Sequence, residues 1–448
     1  MKFDKAKQLL ILGNGFDLHC GLGSNYKNFL TYVITNKYKH QFNEANKDNC
    51  FEKFEDYLKN TFKQFDIGIV EDFRVEFSAP LYPEINLWYL IFFYEKLNQA
   101  SNWNDIESAI EKYVNRNLLD ITDDSLFKVT FLDLFAESIS NYATGVTNVS
   151  IFNSMTQSLK QKKFSQLLIY FLLKRNTIYE NLKKYIDDVR SEIANGFSDY
   201  EKTQSIYNQS SNVSFLIELS TNILLSELHA LEQDFQDFLK YQLTNQNDYE
   251  SNVSRTLRNL VSQDDFELTY NIFSFNYTNK FIYESKLLYA RNVHGELSDQ
   301  REISNIIFGI DSSISKTDMS SYRFTKEFRT LELYTENEED YVWFYGIENI
   351  FNPEIEVIKF YGHSLSEADY SYFQYIFDLY DLYNGNISLI FYFSYFEGQT
   401  RNQIKQEQFF NVSKLIEKYG ETLNNKDHGK NLLTRLIQTG RLKIKLVY

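Results

Sequence analysis

The feature that most constrains the fold of this chain is a short apolar run that ends in two closely spaced glycines. Residues Leu9–Leu12 are followed directly by Gly13, Asn14 and Gly15, and Asp17 comes two residues later. A buried strand that passes at once into a glycine turn is typical of a parallel α/β sheet that binds a nucleotide. Glycine lets backbone N–H groups approach a diphosphate, because no Cβ holds the chain away. We therefore expect these four residues after the strand to bind a nucleotide cofactor.

The match to the dinucleotide-binding pattern G-x-G-x-x-G is incomplete. Gly13 and Gly15 fit this pattern, but Leu18 stands at the position of its third glycine. From the pattern alone, a tight strand-to-helix turn without a ligand is an equal alternative. Asp17 and His19 favour a ligand, because polar side chains in a glycine loop often contact one.

The composition limits the class of protein. The 448 residues are 43% hydrophobic and carry a net charge of −15, which disfavours nonspecific binding to nucleic acid. The start of the chain lacks the shape of a signal peptide, and the longest apolar runs are much shorter than a membrane span. The two cysteines provide neither a disulfide framework nor a zinc site. We expect a cytoplasmic protein that does not enter a membrane.

Two kinds of periodicity divide the chain. Residues 40–265 are predicted to be mainly helical, with the clearest helix over Ile223–Leu243 and a loop over Asn195–Asn212. From about residue 268, short apolar segments predict strands, namely Tyr270–Phe275, Ala290–Val293, Asn305–Phe308, Glu356–Tyr361, Ile387–Phe396 and Leu442–Val447. We therefore predict an α/β fold with a Rossmann-like, mostly parallel sheet and a large α-helical insertion. The core is expected to comprise residues 1–39 with 266–448, and the insertion residues 40–265.

Polar residues follow several of the predicted strands, and parallel strands would bring these ends to one crevice. Beyond the glycine loop, the candidate binding and catalytic residues are Asn276, His294, Gly362, His363 and Ser364. His363 is expected to support its loop rather than to react.

Several of these residues have a purely structural alternative. Asn276 also suits a turn, and His294 also suits a strand end where its hydrogen bonds are satisfied. Ser366 and Asp369 form a predicted capping box for a helix over Glu367–Leu379, so we leave both outside the site.

Five motifs are more specific together than any one of them alone. They are GNGFDLHCGL near the N-terminus, W-N-D-I-E at 103–107, S-F-N-Y-T at 274–278, V-H-G at 293–295 and F-Y-G-H-S-L-S-E-A-D at 360–369. In this order they resemble the AbiH family of bacteriophage abortive-infection proteins. The resemblance spans both ends of the chain and implies anti-phage defence with an unknown phage trigger.

The same series is similar, more remotely, to sirtuin-type NAD-binding domains. In those domains a glycine loop, an asparagine motif, an H-G pair and a G-[ST]-S-[LF] loop follow one another. This resemblance implies a sirtuin-like fold, NAD as the ligand, and Asn276 and His294 as catalytic residues beside the nicotinamide ribose. Two departures stand out: Thr278 occupies the position of an acid, and the absence of a four-cysteine zinc module argues against a protein deacylase.

The function that these expectations favour is hydrolysis of NAD at the nicotinamide–ribose bond when phage infection triggers the protein. The glycine loop would fix the diphosphate, Asn276 would hold the ribose hydroxyls, and His294 would activate water. No metal ion and no nucleic-acid partner are expected, while a homo-oligomer is compatible with the sequence.

Three alternatives stay open. A nucleotide-sensing protein without catalysis would keep the glycine loop but tolerate loss of His294. A nuclease or RNA-binding effector would instead show carboxylates that converge on a divalent metal, together with a basic groove. A partner-binding module would depend on the aromatic character of the insertion alone.

Overall fold

The structure, a computed structural model, describes most of the chain. The described residues are 5–39, 46, 48–57, 85–95, 103–114, 131–144, 164–165, 167–169, 171–172, 180–194, 210–263, 268–281, 284–297, 304–311, 319–336, 347–365, 369–395 and 400–447. The strands are β1 Gln8–Leu12, β2 Tyr270–Ser274, β3 Leu287–Asn292, β4 Val357–Tyr361, β5 Ser388–Phe393 and β6 Leu442–Leu446. The helices before β2 are α1 Asn14–His19, α2 Tyr26–Tyr32, α3 Leu87–Tyr94, α4 Trp103–Val114, α5 Phe131–Thr144, α6 Glu180–Ala194, α7 Ser210–Thr244 and α8 Tyr249–Ser262. Those after β3 are α9 Met319–Tyr322, α10 Lys326–Glu336, α11 Ile347–Ile350, α12 Tyr370–Leu379, α13 Arg401–Thr422 and α14 Lys426–Gln438.

The six strands form one parallel sheet in the order β3-β2-β1-β4-β5-β6. β1 lies at the centre, where Leu10 is opposite Ile272 on one side and Lys359 on the other. This order is that of a doubly wound Rossmann-like sheet, in which the strand order reverses between β1 and β4. The predicted α/β fold with a mostly parallel sheet is confirmed, and the N-terminal strand and the segment near 271–276 lie in this one sheet as neighbours.

The central strands are buried on both faces, which explains their continuous apolar sequences. All five residues of β1, β2 and β4 are buried. The buried Lys359 of β4 is an exception to the apolar pattern, and its Nζ donates to the carbonyl oxygens of Leu260 (2.6 Å) and Val261 (3.4 Å). These carbonyls belong to the last turn of α8, where a helix lacks internal donors. Lys359 therefore fixes α8 against the sheet.

Contacts within the chain divide it into two compact units. Unit 1 comprises Met1–Asn25, Gln236–Ile307 and Thr330–Tyr448, and contains the whole sheet. Unit 2 comprises Tyr26–Phe235 and Phe308–Arg329. The predicted division into 1–39 with 266–448 and an insertion at 40–265 remains a prediction.

Unit 2 is built around buried helices. α3 is apolar on all sides and buried from Leu87 to Phe93, as expected for a helix without a solvent-facing side. Its N-cap is Asn86, whose Oδ1 accepts from the N–H of Trp88 (2.8 Å). A buried ion pair joins α7 to α10, because Arg329 Nη1 and Nη2 lie 2.6 and 2.8 Å from the Glu232 carboxylate. The described residues from 46 to 263 form helices and turns and contain no strand, in agreement with the predicted helical character.

Three local predictions were wrong or fell partly outside the described residues. Residues 305–308 form no strand. The N–H of Ile307 donates to the carbonyl of His294, and the N–H of Phe308 donates to the carboxylate of Glu232, instead of to a neighbouring strand. Residues 210–212 of the predicted loop already belong to α7, and the rest of that loop lies outside the described residues. The predicted helix from 367 begins at Tyr370, and residues 366–368 also lie outside the described part.

None of the described helices is both long enough and apolar enough to cross a membrane.

Candidate functional site

Four loops that leave the sheet at one edge carry the residues singled out in the sequence. They follow the carboxyl ends of β1, β2, β3 and β4, which point the same way because all pairings are parallel. In such a sheet, the crevice beyond the reversal of strand order is where ligands bind. Contacts between side chains join these loops into two clusters, one around Asp17 and one around Asp369.

Two backbone hydrogen bonds hold the glycine loop after β1 against the end of β4 and the loop that follows it. Gly13 N–H donates to Tyr361 O (3.0 Å), and Gly15 N–H donates to Gly362 O (2.8 Å). A Cβ on Gly13 would lie 2.6 Å from His363 Cα, and one on Gly15 would lie 2.8 Å from Gly362 Cα. The glycines are therefore required by contact between two backbones of the protein itself. This is a structural reason for the two glycines in addition to the one from the sequence, which was space for a diphosphate, and contact of these glycines with a nucleotide stays a prediction.

Asn14 begins helix α1 and presents its side chain at the same edge. The hydroxyl of Ser24 donates to Asn14 Oδ1, so the amide oxygen is held by the protein. Asn14 Nδ2 still offers two N–H donors. Ser364, by contrast, is exposed.

Asp17 lies inside the protein, where it connects α1, α8 and the loop after β2. Its Oδ1 accepts from the hydroxyl of Tyr249 (2.8 Å), its Oδ2 accepts from Thr278 (3.0 Å), and Asn276 Nδ2 lies 3.3 Å from Oδ1. Burial raises the pKa of the Asp17 carboxyl to about 7, against the hydrogen bonds from Tyr249 and Thr278, which lower it. Asp17 thus supplies a carboxylate beside Asn276, and Thr278 of the same S-F-N-Y-T motif donates a hydrogen bond to it.

Asn276 is held in this cluster but keeps one unsatisfied atom. The residue is 3% exposed, and its N–H donates to Ser274 Oγ (3.1 Å). Its buried Oδ1 has no hydrogen-bond partner among the described residues, and the same holds for Asn292 Oδ1. Asn292 Nδ2 donates to the carbonyl of Thr278 (2.9 Å), which links both amides to the same loop. Buried amide oxygens usually have a donor, so these two call for one from water or a ligand.

The second cluster joins the loops after β3 and β4 through one carboxylate. Asp369 Oδ2 is 3.3 Å from His363 Nε2, and Asp369 Oδ1 is 3.6 Å from His294 Nε2. The two imidazoles are 4–5% exposed, and both pack against the ring of Phe275. Asp369, which the sequence assigned to a capping box, therefore lies beside two of the candidate site residues. Its side chain makes no capping hydrogen bond to α12, and it faces the histidines instead.

One further carboxyl near these loops was missed in the sequence. Glu296 follows His294 and Gly295, and its Oε1 accepts from Asn279 Nδ2 (3.1 Å). Burial raises the pKa of Glu296 to about 7, although the hydrogen bond from Asn279 lowers it. No motif marks this glutamate, because its burial depends on how the loops after β2 and β3 pack.

The chain was compared with known proteins. The family model "Bacteriophage abortive infection AbiH" matches residues 9–393 of 448. The chain belongs to the AbiH family. Family membership supports a role in abortive infection, the defence of bacteria against phage. No curated protein and no solved structure matches the sequence.

The AbiH match includes all four loops of the crevice and ends with the last residue of β5. It also includes the W-N-D-I-E segment, which lies at the start of α4 in unit 2. Glu107 of that segment pairs with the buried Nζ of Lys326 (2.8 Å), so this part of the motif has a structural role in unit 2. Among the described residues of this AbiH protein, no three His, Cys, Asp or Glu side chains form a group that could ligate a metal ion. The remote likeness to sirtuins stays a prediction.

Proposed function

We propose that this AbiH protein binds NAD at the carboxyl edge of its sheet and hydrolyses the nicotinamide–ribose bond during phage infection. The observation that carries the proposal is the buried Oδ1 of Asn276, which lacks a hydrogen-bond partner among the described residues. It lies directly after β2, in the crevice where a Rossmann-like sheet binds a nucleotide. A ribose hydroxyl is a suitable donor for this oxygen.

In the proposed reaction, Asn276 binds the ribose, His294 accepts a proton and Asp17 supports Asn276. Water attacks the C1′ atom of the ribose, the C1′–N bond breaks with its electron pair on nicotinamide, and the proton of the water passes to a base. ADP-ribose, nicotinamide and a proton result. Asn276 would hold the ribose in both the ground state and the transition state, and His294 would accept the proton. Asp17 supports Asn276 through the contact with its Nδ2.

The diphosphate requires donors other than the backbone N–H groups of Gly13 and Gly15, because both already donate to carbonyl groups of the protein. Gly15 N–H is engaged by Gly362 O, so it does not point at an anion. Asn14 Nδ2 is the donor that we assign to the diphosphate, because Ser24 holds the other end of the amide. The acidic composition of the chain, with a net charge of −15, makes such specific donors more important than a general positive field.

The proposal is tested by measuring NAD loss and nicotinamide release with the purified protein, alone and with extract from phage-infected cells. We expect turnover in the presence of the extract. His294→Ala should lower kcat by about 10² to 10⁴, the range for a positioned general base, and leave NAD binding nearly unchanged. Asn276→Ala should weaken both binding and turnover. Full turnover in His294→Ala would remove this histidine from the mechanism and direct attention to Glu296.

A nucleotide sensor without catalysis is the second candidate. The burial of both imidazoles, at 4–5% exposed, favours it, because a general base must reach its substrate. A sensor would bind NAD with measurable affinity but release no nicotinamide even with infected-cell extract. In that case His294→Ala would leave both NAD binding and phage protection in place.

A further inference from the structure

Two buried amide oxygens at the carboxyl edge of the sheet have no hydrogen-bond partner among the described residues. They are Oδ1 of Asn276 and Oδ1 of Asn292, in residues that are 3% and 7% exposed. The proposed reaction gives a role to the first oxygen alone. A buried acceptor without a donor is costly, so the oxygen of Asn292 also requires a donor from outside the described part of the chain.

The orientation of both amides follows from the groups that hold them. Asn292 Nδ2 donates to the carbonyl oxygen of Thr278 (2.9 Å), which can only accept, so the amide oxygen of Asn292 faces away from it. Asn276 Nδ2 lies 3.3 Å from Asp17 Oδ1, and the Thr278 hydroxyl donates to Asp17 Oδ2 (3.0 Å). Thr278 is therefore part of the support of both amides, which fixes their positions relative to each other.

The sheet brings the two asparagines to the ends of neighbouring strands. Asn292 is the last residue of β3, and its partner across the strand pair is Ser274, the last residue of β2. Paired residues of adjacent parallel strands point to the same face of the sheet. Ser274 Oγ accepts from the N–H of Asn276 (3.1 Å), so the loop after β2 begins beside this pair.

A third asparagine of the same strand pair has no such oxygen. Asn271 of β2 donates through Nδ2 to the carbonyl oxygens of Asn349 (3.0 Å) and Ile350 (2.8 Å). Its Oδ1 accepts from the N–H of Tyr289 (3.2 Å). The sheet therefore satisfies a buried amide completely where the role of that amide is structural.

We infer that Asn276 and Asn292 together bind the two adjacent hydroxyls of one ribose, so that Asn292 sets a preference for ribose over deoxyribose. The inference deepens the proposed NAD hydrolysis and rests on it for the identity of this sugar as the nicotinamide ribose. A ribose presents two O–H donors on neighbouring carbons, which suits two acceptor oxygens at the ends of neighbouring strands. A calcium or magnesium ion suits them less well, because it takes about six oxygen ligands.

The experiment assigns each hydroxyl to its asparagine. The probes are an NAD analogue with a carbocyclic nicotinamide sugar, which resists hydrolysis, and the 2′-deoxy and 3′-deoxy forms of this analogue. Calorimetry should show that the unmodified protein binds the parent analogue roughly 3- to 10-fold more tightly than either deoxy form. Asn292→Ala should lose the preference for one hydroxyl and keep the other, and Asn276→Ala should show the reverse.

A purely structural role of Asn292 would give a different result. Its loss would then weaken the binding of all three probes by the same factor, and this result overturns the inference. Equal affinity of the unmodified protein for all three probes overturns it as well, and this comparison does not depend on the folding of any variant.

The matched control is Asn271→Ala, which removes the buried amide that the sheet satisfies. This variant should unfold at a lower urea concentration and still prefer both hydroxyls. Loss of either preference in the control would show that the preference follows from the stability of the sheet, which overturns the inference.

A second set of probes separates this inference from the proposed function. If the protein binds no NAD analogue, the proposed function fails, and ATP with its 2′-deoxy and 3′-deoxy forms replaces the first set. The same exchange of preferences between the two alanine variants then upholds the ribose site, whereas absence of binding in both sets overturns it. If the NAD analogue binds and Asn292→Ala keeps both preferences, the inference fails while the proposed function stands.

Discussion

Replacing Gly15 by alanine should destabilise the protein in the absence of any nucleotide. The new Cβ would lie 2.8 Å from Gly362 Cα and 2.9 Å from Gly362 O, which are both backbone atoms. Carbon atoms in contact prefer about 3.5–4.0 Å, so the two loops must separate by roughly 0.7 Å or more. This movement would also break the 2.8 Å hydrogen bond from Gly15 N–H to Gly362 O.

The expected loss of stability is about 0.5–4 kcal/mol. Overpacking contributes about 1–3 kcal/mol and the lost hydrogen bond about 0.5–1.5 kcal/mol, while alanine restricts the unfolded chain and offsets about 0.4–1 kcal/mol. Urea unfolding gives the free energy. Deuterium exchange in peptides covering residues 9–20 and 357–365 should show faster exchange in both loops, because both lose their mutual support.

Gly440→Ala is a useful control for this prediction. Gly440 has a φ of 68° but no atom within 4 Å of the added Cβ, so only backbone strain is introduced. Its exchange effect should stay near residue 440. If Gly15→Ala unfolds at the same urea concentration as the unmodified protein and loses only stabilisation by NAD, the interlocking of the two loops is not the reason for the glycine.

Three further predictions concern buried charges. The pKa of Asp17 is about 7 in the folded protein against an ordinary 3.8, so the folded state retains a proton that the unfolded chain loses, and stability should fall as pH rises from about 4 to 7. Asp17→Asn should flatten this part of the pH dependence of stability, measured by urea unfolding. An unchanged slope in the variant would contradict the prediction. Lys359→Met should cost about 1–3 kcal/mol in urea unfolding, because the carbonyl of Leu260 loses its buried donor; a stability equal to that of the unmodified protein would show that this cap is dispensable. Glu232→Gln should destabilise unit 2 by about 3–5 kcal/mol, because Arg329 is left as a buried charge without its carboxylate. Adding Arg329→Met should recover part of this loss. A double variant no more stable than the single one would refute this reasoning.

The fold was predictable because its signals are local. Short apolar segments, several of which end in glycine and a polar residue, predicted the strands, and helical spacing predicted the helices of 46–263. The strand prediction failed at 305–308, where an apolar segment has its N–H groups bound by a loop carbonyl and a carboxylate. Nothing in a local pattern reveals such partners.

The site was predictable only in part, because its geometry depends on contacts far apart in sequence. Tyr249 binds Asp17 across 232 positions, and no motif surrounds it. Asp369 was assigned to a capping box, since the spacing of Ser366 and Asp369 satisfied that pattern fully. The carboxylate lies instead between two histidines, which only the arrangement of β3 and β4 brings together. The glycines were predicted from the sequence to bind a nucleotide, and in the structure the backbone that approaches them belongs to the protein.

The central claim is that the buried oxygen of Asn276 receives a hydroxyl of the nicotinamide ribose. A crystal structure with an NAD analogue that carries a carbocyclic nicotinamide sugar tests this directly, because the analogue keeps the hydroxyls but resists hydrolysis. The account predicts a hydroxyl oxygen at about 2.5–3.0 Å from Asn276 Oδ1, with C1′ facing His294. An ordered water on Asn276 Oδ1, with the analogue bound elsewhere or not at all, would contradict it.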